Sequence, residues 1–178
     1  MKKFSLIIFS AVMLLFAVSC SSSASTQIPK EEVTALINSG NFTFMAERAH
    51  PTNLEVVNIL NSMPGGGASR AFELDYGYTI EMTAEELKVE LPYYGRAFVA
   101  DPSSNKNSYR FTSKDFTVAK AAGKKNRTVF TISPSDVTAV RTIYMEVFPS
   151  GKAHVSIDSN ERQPISYSGY IMKNMPAK

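Results

Sequence analysis

The residues able to carry chemistry are few and widely spaced. A chain of 178 residues holds one cysteine, Cys20, and two histidines, His50 and His154. Cys20 follows Met1-Lys2-Lys3 and an apolar run, Phe4 to Val18, that stops at Ser19. Two lysines, a short apolar segment and a small residue before the break describe a secretory signal, and a cysteine at that point stands where a lipoprotein signal places its acylated thiol. The preceding Ala17-Val18-Ser19 lacks the leucine three positions upstream that such signals usually carry. About fifteen apolar residues fall short of the roughly 20 that span a bilayer. The run is therefore expected to be cleaved, with lipidated Cys20 holding the protein on a membrane.

No catalytic constellation can be assembled from the rest. His50 precedes Pro51 in what reads as a turn, and His154 alternates with Ala153 and Val155, so it is expected to face solvent. There is no His-Glu-x-x-His, no Gly-x-Ser-x-Gly and no Gly-Lys-Ser/Thr phosphate loop. Gly65-Gly66-Gly67-Ala68-Ser69-Arg70 is glycine-rich but lacks the lysine of a nucleotide loop. Asp75, Glu81 and Glu90 admit a glycosidase-like carboxylate pair, although acidic residues alternating along a solvated strand face are the commoner case. Once Cys20 is acylated no thiol remains for a disulfide, a nucleophile or a metal. The expectation is a protein with no catalytic residue, no metal and no cofactor.

Binding candidates are aromatic. Leu91-Pro92-Tyr93-Tyr94-Gly95-Arg96 ends a strand with two rings and a guanidinium, types enriched at binding hot spots. Tyr93 or Tyr94 would supply a stacking face and Arg96 a charged fork. The competing arrangement has one tyrosine packed inward, its hydroxyl on a backbone carbonyl, while Pro92 and Gly95 shape the turn. In Ser166-Tyr167-Ser168-Gly169-Tyr170, alternation puts Tyr167 with Ile165 and Ile171 and leaves Tyr170 as the surface candidate; Gly169 suggests a bulge or a close backbone approach. Lys120, Lys124, Lys125 and Arg127 crowd a hairpin tip, as an anion-attracting patch or simply a solvated turn.

These residues need a scaffold, and its signals are mostly of period two. Pro29, Glu31, Glu32 and the stripe Val33, Leu36, Ile37 open the body with a short helix that ends at Asn38-Ser39-Gly40. Asn41 to Ala46 reads as a strand. Val56, Ile59, Leu60 and Met63 favour a helix over 53–63, broken by Pro64 and the glycines. Phe72, Leu74, Tyr76, Tyr78, Ile80 and Met82 alternate as one strand bent at Gly77, and Leu87, Val89 and Leu91 return as its hairpin partner on the same apolar face. Tyr109–Thr112, Phe116–Ala119, Arg127–Ile132, Ile143–Phe148, Ala153–Ile157 and Ile165–Ile171 follow, with Pro149-Ser150-Gly151-Lys152 as a hairpin turn. The fold class expected is mainly β: an antiparallel β-sandwich or strongly curved sheet with one or two short helices near the N-terminus. Residues 1–19 are the signal, 20–28 a lipidated cysteine and polar tether, and 29–178 one domain. Removing Lys2 and Lys3 leaves 17 basic residues against 16 acidic, a balance of +1 rather than +3, which calls for no nucleic acid.

Leu91–Ala97 and Ile165–Ile171 resemble the Bacteroidota lipoproteins grouped as domain-of-unknown-function family 4251. Arg48-Ala49-His50-Pro51, Phe111–Phe116, Phe148-Pro149-Ser150-Gly151 and Ser159-Asn160-Glu161-Arg162 are similar to that family in order and spacing, over most of residues 42–171. The resemblance implies an envelope lipoprotein, carries over no catalytic residue, and accommodates the loose signal. The serine-rich stretch after Cys20 lacks the early acidic cluster associated in that phylum with surface export, which points to the outer membrane facing the periplasm.

The function expected is that of a lipid-anchored, non-enzymatic binding module for a small ligand, glycan or lipid. The alternatives are a structural or assembly component that binds another envelope protein through a strand edge, and a glycan-acting hydrolase. An exposed, unpaired strand edge would favour the former, and facing carboxylates across a cleft the latter.

Overall fold

The computed structural model describes residues 28–62, 68–98 and 108–174. The signal at 1–19, Cys20, the tether through Gln27 and the glycine run at 65–67 lie outside the described residues.

Helix α1 (Lys30–Ser39) forms as expected: Val33 N–H reaches back to Pro29 O, and Gly40, with φ of +66°, caps the end by bonding Leu36 O. After strand β1 (Phe42–Pro51) come α2 (Leu54–Ser62) and the single turn α3 (Ala68–Ala71). The remaining strands are β2 (Thr79–Met82), β3 (Leu87–Pro92), β4 (Ser108–Ser113), β5 (Phe116–Ala122), β6 (Thr128–Pro134), β7 (Val140–Val147), β8 (Lys152–Ser159) and β9 (Ile165–Met172). All nine join one antiparallel sheet in the order β4-β3-β2-β1-β9-β8-β7-β6-β5. Of the two expected forms, the molecule takes the strongly curved sheet, nearly closed on itself.

Alternation decides the curl. Ile80, Met82, Leu87, Val89 and Leu91 share the inner face, as do Ile143, Met145 and Val147 opposite Ile157, Val155 and Ala153. Phe42 meets Phe130 edge to face at 5.4 Å, and Val33 and Leu36 of α1 join the same core. The β7–β8 turn is the expected one, with Gly151 at φ of +81°, Phe148 N–H donating to Lys152 O and Gly151 N–H donating to Phe148 O.

The stretch from Phe72 to Met82 differs from its expectation. Only Thr79–Met82 is strand. Phe72 and Leu74 do bond β1, through Ala49 N–H to Phe72 O and Glu47 O to Leu74 N–H, and Tyr78 O accepts from Ala46. Between these contacts Asp75-Tyr76-Gly77 leaves the ladder, with Gly77 at φ of +121° and Tyr76 70% exposed. The cause lies in β1, where an extra residue between Ala46 and Arg48 breaks the register.

That bulge also explains Gly169. It pairs with Ala46, and a Cβ there would stand 1.9 Å from Met45 O. Backbone occupies the space a side chain would need. Gly169→Ala should therefore cost about 1–3 kcal/mol, within the range of overpacked cores, read as a lower urea midpoint at constant slope; an unchanged midpoint would refute the close approach.

Candidate functional site

The turn after β3 is built inward. Tyr93 is buried, its hydroxyl donating to Arg96 O at 2.9 Å and Gln163 O at 3.2 Å. Its ring meets that of Tyr109 edge to face at 5.5 Å, and the buried Arg162 guanidinium lies 5.2 Å from the Tyr93 ring centre and 5.1 Å from that of Tyr109. Arg162 Nη1 donates to Ser108 O, tying the start of β4 to the cluster. Burial pushes the Tyr109 hydroxyl up to about 12. Tyr167, deeper still, donates to Pro92 O at 2.6 Å. Gly95 is required because a Cβ would come within 2.5 Å of the Tyr93 hydroxyl.

This arrangement removes Tyr93 as a stacking face for a ligand. Tyr94 is half-buried with its ring against Phe72 at 5.5 Å, and Arg96 is exposed. Tyr170 lies on the outer face as the alternation required, half-buried; its hydroxyl is raised by burial and by the nearby Glu47 and Tyr76. Of the four candidates Tyr93 is thus buried, Tyr94 and Tyr170 are partly exposed, and Arg96 is exposed.

Among the described residues no three metal-ligating side chains converge. The two histidines do meet, however, and sequence spacing gave no sign of it. His50 is in strand β1 rather than a turn, paired with Ser166, while His154 on β8 is paired with Ser168. With β9 between them, their ring centres are 6.1 Å apart, and His50 Nε2 lies 2.9 Å from Ser168 Oγ. Burial, His154 and Arg48, in that order, hold His50 below the usual histidine range.

The other unusual feature is a sheet edge. Neighbouring strands in this sheet alternate in direction, so with nine of them β4 and β5 run the same way. Parallel neighbours need a crossover of about a dozen residues or more, and only Lys114 and Asp115 join these two. Strand β5 consequently continues past β4 instead of lying beside it. Asp136 fixes that corner by accepting from Ser113 Oγ, Lys114 N and Asp115 N, bonds that hold its carboxyl below the usual range.

From Thr117 to Ala122 every residue of β5 is exposed. Its single charged side chain, Lys120, turns to the C-terminal end of α1 and donates to Ile37 O and Asn38 Oδ1, both at 3.1 Å. A groove of about 400 Å³ opens between α1 and this part of the sheet, lined by Val33, Ile37 and Pro149 with Lys30 and Lys120. Arg127, at the base of the neighbouring tip, is engaged by Glu146 and by the Phe148 ring.

The molecule is thus a curved antiparallel module with a buried tyrosine–arginine corner and an exposed edge strand, β5. A family model, Domain of unknown function (DUF4251), matches residues 25–171, and the chain belongs to that family. The fold is similar to the crystal structure of a DUF4251 family protein from Bacteroides eggerthii DSM 20697, at 11% identity and a TM-score of 0.50, covering 85% of this chain and 92% of that one. No curated protein matches the sequence.

Packing and exposure separate the residues of the Leu91–Ala97 turn. Tyr93→Ala should cost about 3–5 kcal/mol, as for other buried aromatics, while Arg96→Ala should stay within about 0.5 kcal/mol of the parent. Thermal melts of the two variants test this, and equal losses would contradict the buried corner.

Proposed function

We propose that the protein is a non-enzymatic, lipid-anchored envelope module that captures an extended segment of a partner protein along the free edge of β5. The observation that carries this reading is the run Thr117–Ala122, exposed on both faces at a sheet edge that the chain's own topology leaves open. Such an edge is a template for an added strand: main-chain bonds supply affinity and alternate side chains supply selectivity. Edge strands are commonly guarded by a projecting lysine. Here the ammonium of Lys120 is drawn onto α1 instead.

The groove sets the selectivity. Side chains of an added strand that point toward α1 meet Val33, Ile37 and Pro149, flanked by Lys30 and Lys120. Apolar residues interleaved with carboxylates fit that lining. The geometry thus favours a protein partner over a small ligand at Tyr93 and Tyr94, whose rings are spent on packing.

A display library of random eight-residue peptides, presented to the full-length chain, should return acidic, apolar-alternating segments that slow amide exchange in β5. Val118→Pro, which removes a backbone donor on the free side of the strand, should lose this selection while keeping a cooperative melt. Selection that survives Val118→Pro, or protection located elsewhere in the sheet, would sink the edge reading, as would a stable dimer closed through β5.

The anchor rests on Met1 to Cys20, and a periplasm-facing outer-membrane position accords with the polar, non-acidic stretch that follows. Cys20→Ala should move the protein from the membrane to the soluble fraction with its melting temperature unchanged. Persistent membrane association would mean that something other than an acylated cysteine holds it.

A further inference from the structure

We propose that Arg48, His50, His154 and Ser168, on the outer face where β1, β9 and β8 lie side by side, form a binding site for a phosphate monoester. The cluster is set by register. Ala49 and Tyr167 point into the core, so their neighbours Arg48, His50, Ser166 and Ser168 project outward, and pairing of His154 with Ser168 brings the second imidazole to the same spot. The rings are 6.1 Å apart, and Ser168 Oγ already bonds His50 Nε2 at 2.9 Å.

The chemistry selects the ligand. One guanidinium, two imidazoles and the Ser168 hydroxyl, with Ser166 beside them on β9, offer donors spread over several directions, which suits the three terminal oxygens of a phosphate better than the two of a carboxylate. A groove of about 350 Å³ adjoins the cluster, lined by Arg48, His50, Ala49, Pro51, Val57 and Phe72 among others. It has room for an apolar substituent on the ester.

Surrounding charges favour an anion over a cation. His154 and Arg48 both disfavour a proton on His50, so each lies close enough to His50 to repel its charged form. Glu146, opposite His154, is bound to Arg127, and Asp158 further along β8 is bound to Arg141. Glu73 pairs with Arg48 through the backbone, as an isolated antiparallel bridge at the edge of β1. Lys152 lies on the same face of β8, and Glu55 on α2 is exposed.

An anion must raise the imidazole midpoints, whereas a bound metal ion must lower them. The two histidine rings can be followed by NMR in the full-length chain between about pH 5 and 8, without additive, with inorganic phosphate, with phenyl phosphate and with Zn²⁺. Both midpoints should rise with either phosphate, and phenyl phosphate should bind more tightly because of the groove. Arg48→Met and His154→Gln should each weaken phenyl phosphate about tenfold, the loss of one charge-assisted bond, with melting temperature unchanged. Sedimentation with vesicles containing phosphatidic acid, blocked by phenyl phosphate, would assign the site to a lipid headgroup; phosphate binding without sedimentation would assign it to a soluble ester. Midpoints that neither phosphate moves, or that only Zn²⁺ moves and moves downward, would overturn the proposal.

Discussion

The pairing of β1 with β9 is the constraint on which the rest of the structure depends. Every other strand pair joins chain neighbours or lies within one of two meanders, β1 to β4 and β5 to β9. Each meander buries only one face, and neither has a second layer to bury it against. Laying the first strand beside the last, with Phe44 opposite Ile171 across 127 positions of sequence (171 minus 44), lets one inner face serve as core for both. The two-residue link from β4 to β5 then draws the outer edges together at one corner, and curvature follows. Contacts so distant in sequence close late and slowly, so the burial that stabilises the sheet depends on an event that local propensity cannot hasten.

Joining the meanders in this way produces both the open edge and the histidine pair. With nine alternating strands the two ends of the sheet, β4 and β5, run the same way, and a two-residue link cannot pair them, which leaves β5 unpaired on one side. The same pairing sets His50 two strands away from His154. Neither the edge nor the histidine pair can be moved without changing the β1–β9 register, since a shift of one residue would exchange the inner and outer faces of β1. Glu47 and Gly169 hold that register: the extra residue in one strand requires the missing side chain in the other.

The sequence made visible whatever depends on local period. Ile165–Ile171 alternates cleanly, so Tyr167 could be placed inside and Tyr170 outside, and Pro149–Lys152 announced its turn. The helix over 54–62 was favoured by the spacing of its apolar positions, although their β-branched content suited a strand as well. Long-range register was not readable. Phe72–Met82 keeps perfect alternation yet breaks as a strand, because a bulge in its partner decides how much of it can pair. His50 and His154 looked unrelated, since nothing at either position encodes which strands flank β9. Tyr93 and Tyr94 were indistinguishable until Arg162, distant in the sequence, supplied the cation that packs against the rings of both Tyr93 and Tyr109.

Motifs that mark the family divide by what they touch. Ser159 Oγ donates to Ala139 O, Asn160 Nδ2 to Thr138 O, and Arg162 to Ser108 O, so that stretch fastens the end of β8 to its surroundings. Leu91–Ala97 serves the same end through Tyr93 and Gly95. Arg48-Ala49-His50-Pro51 is different. Only Ala49 is committed to the core, while Arg48 and His50 project from the outer face of the strand. A scaffold asks for alternation alone at such positions; a guanidinium and an imidazole beside a second imidazole supply a chemistry that packing does not require.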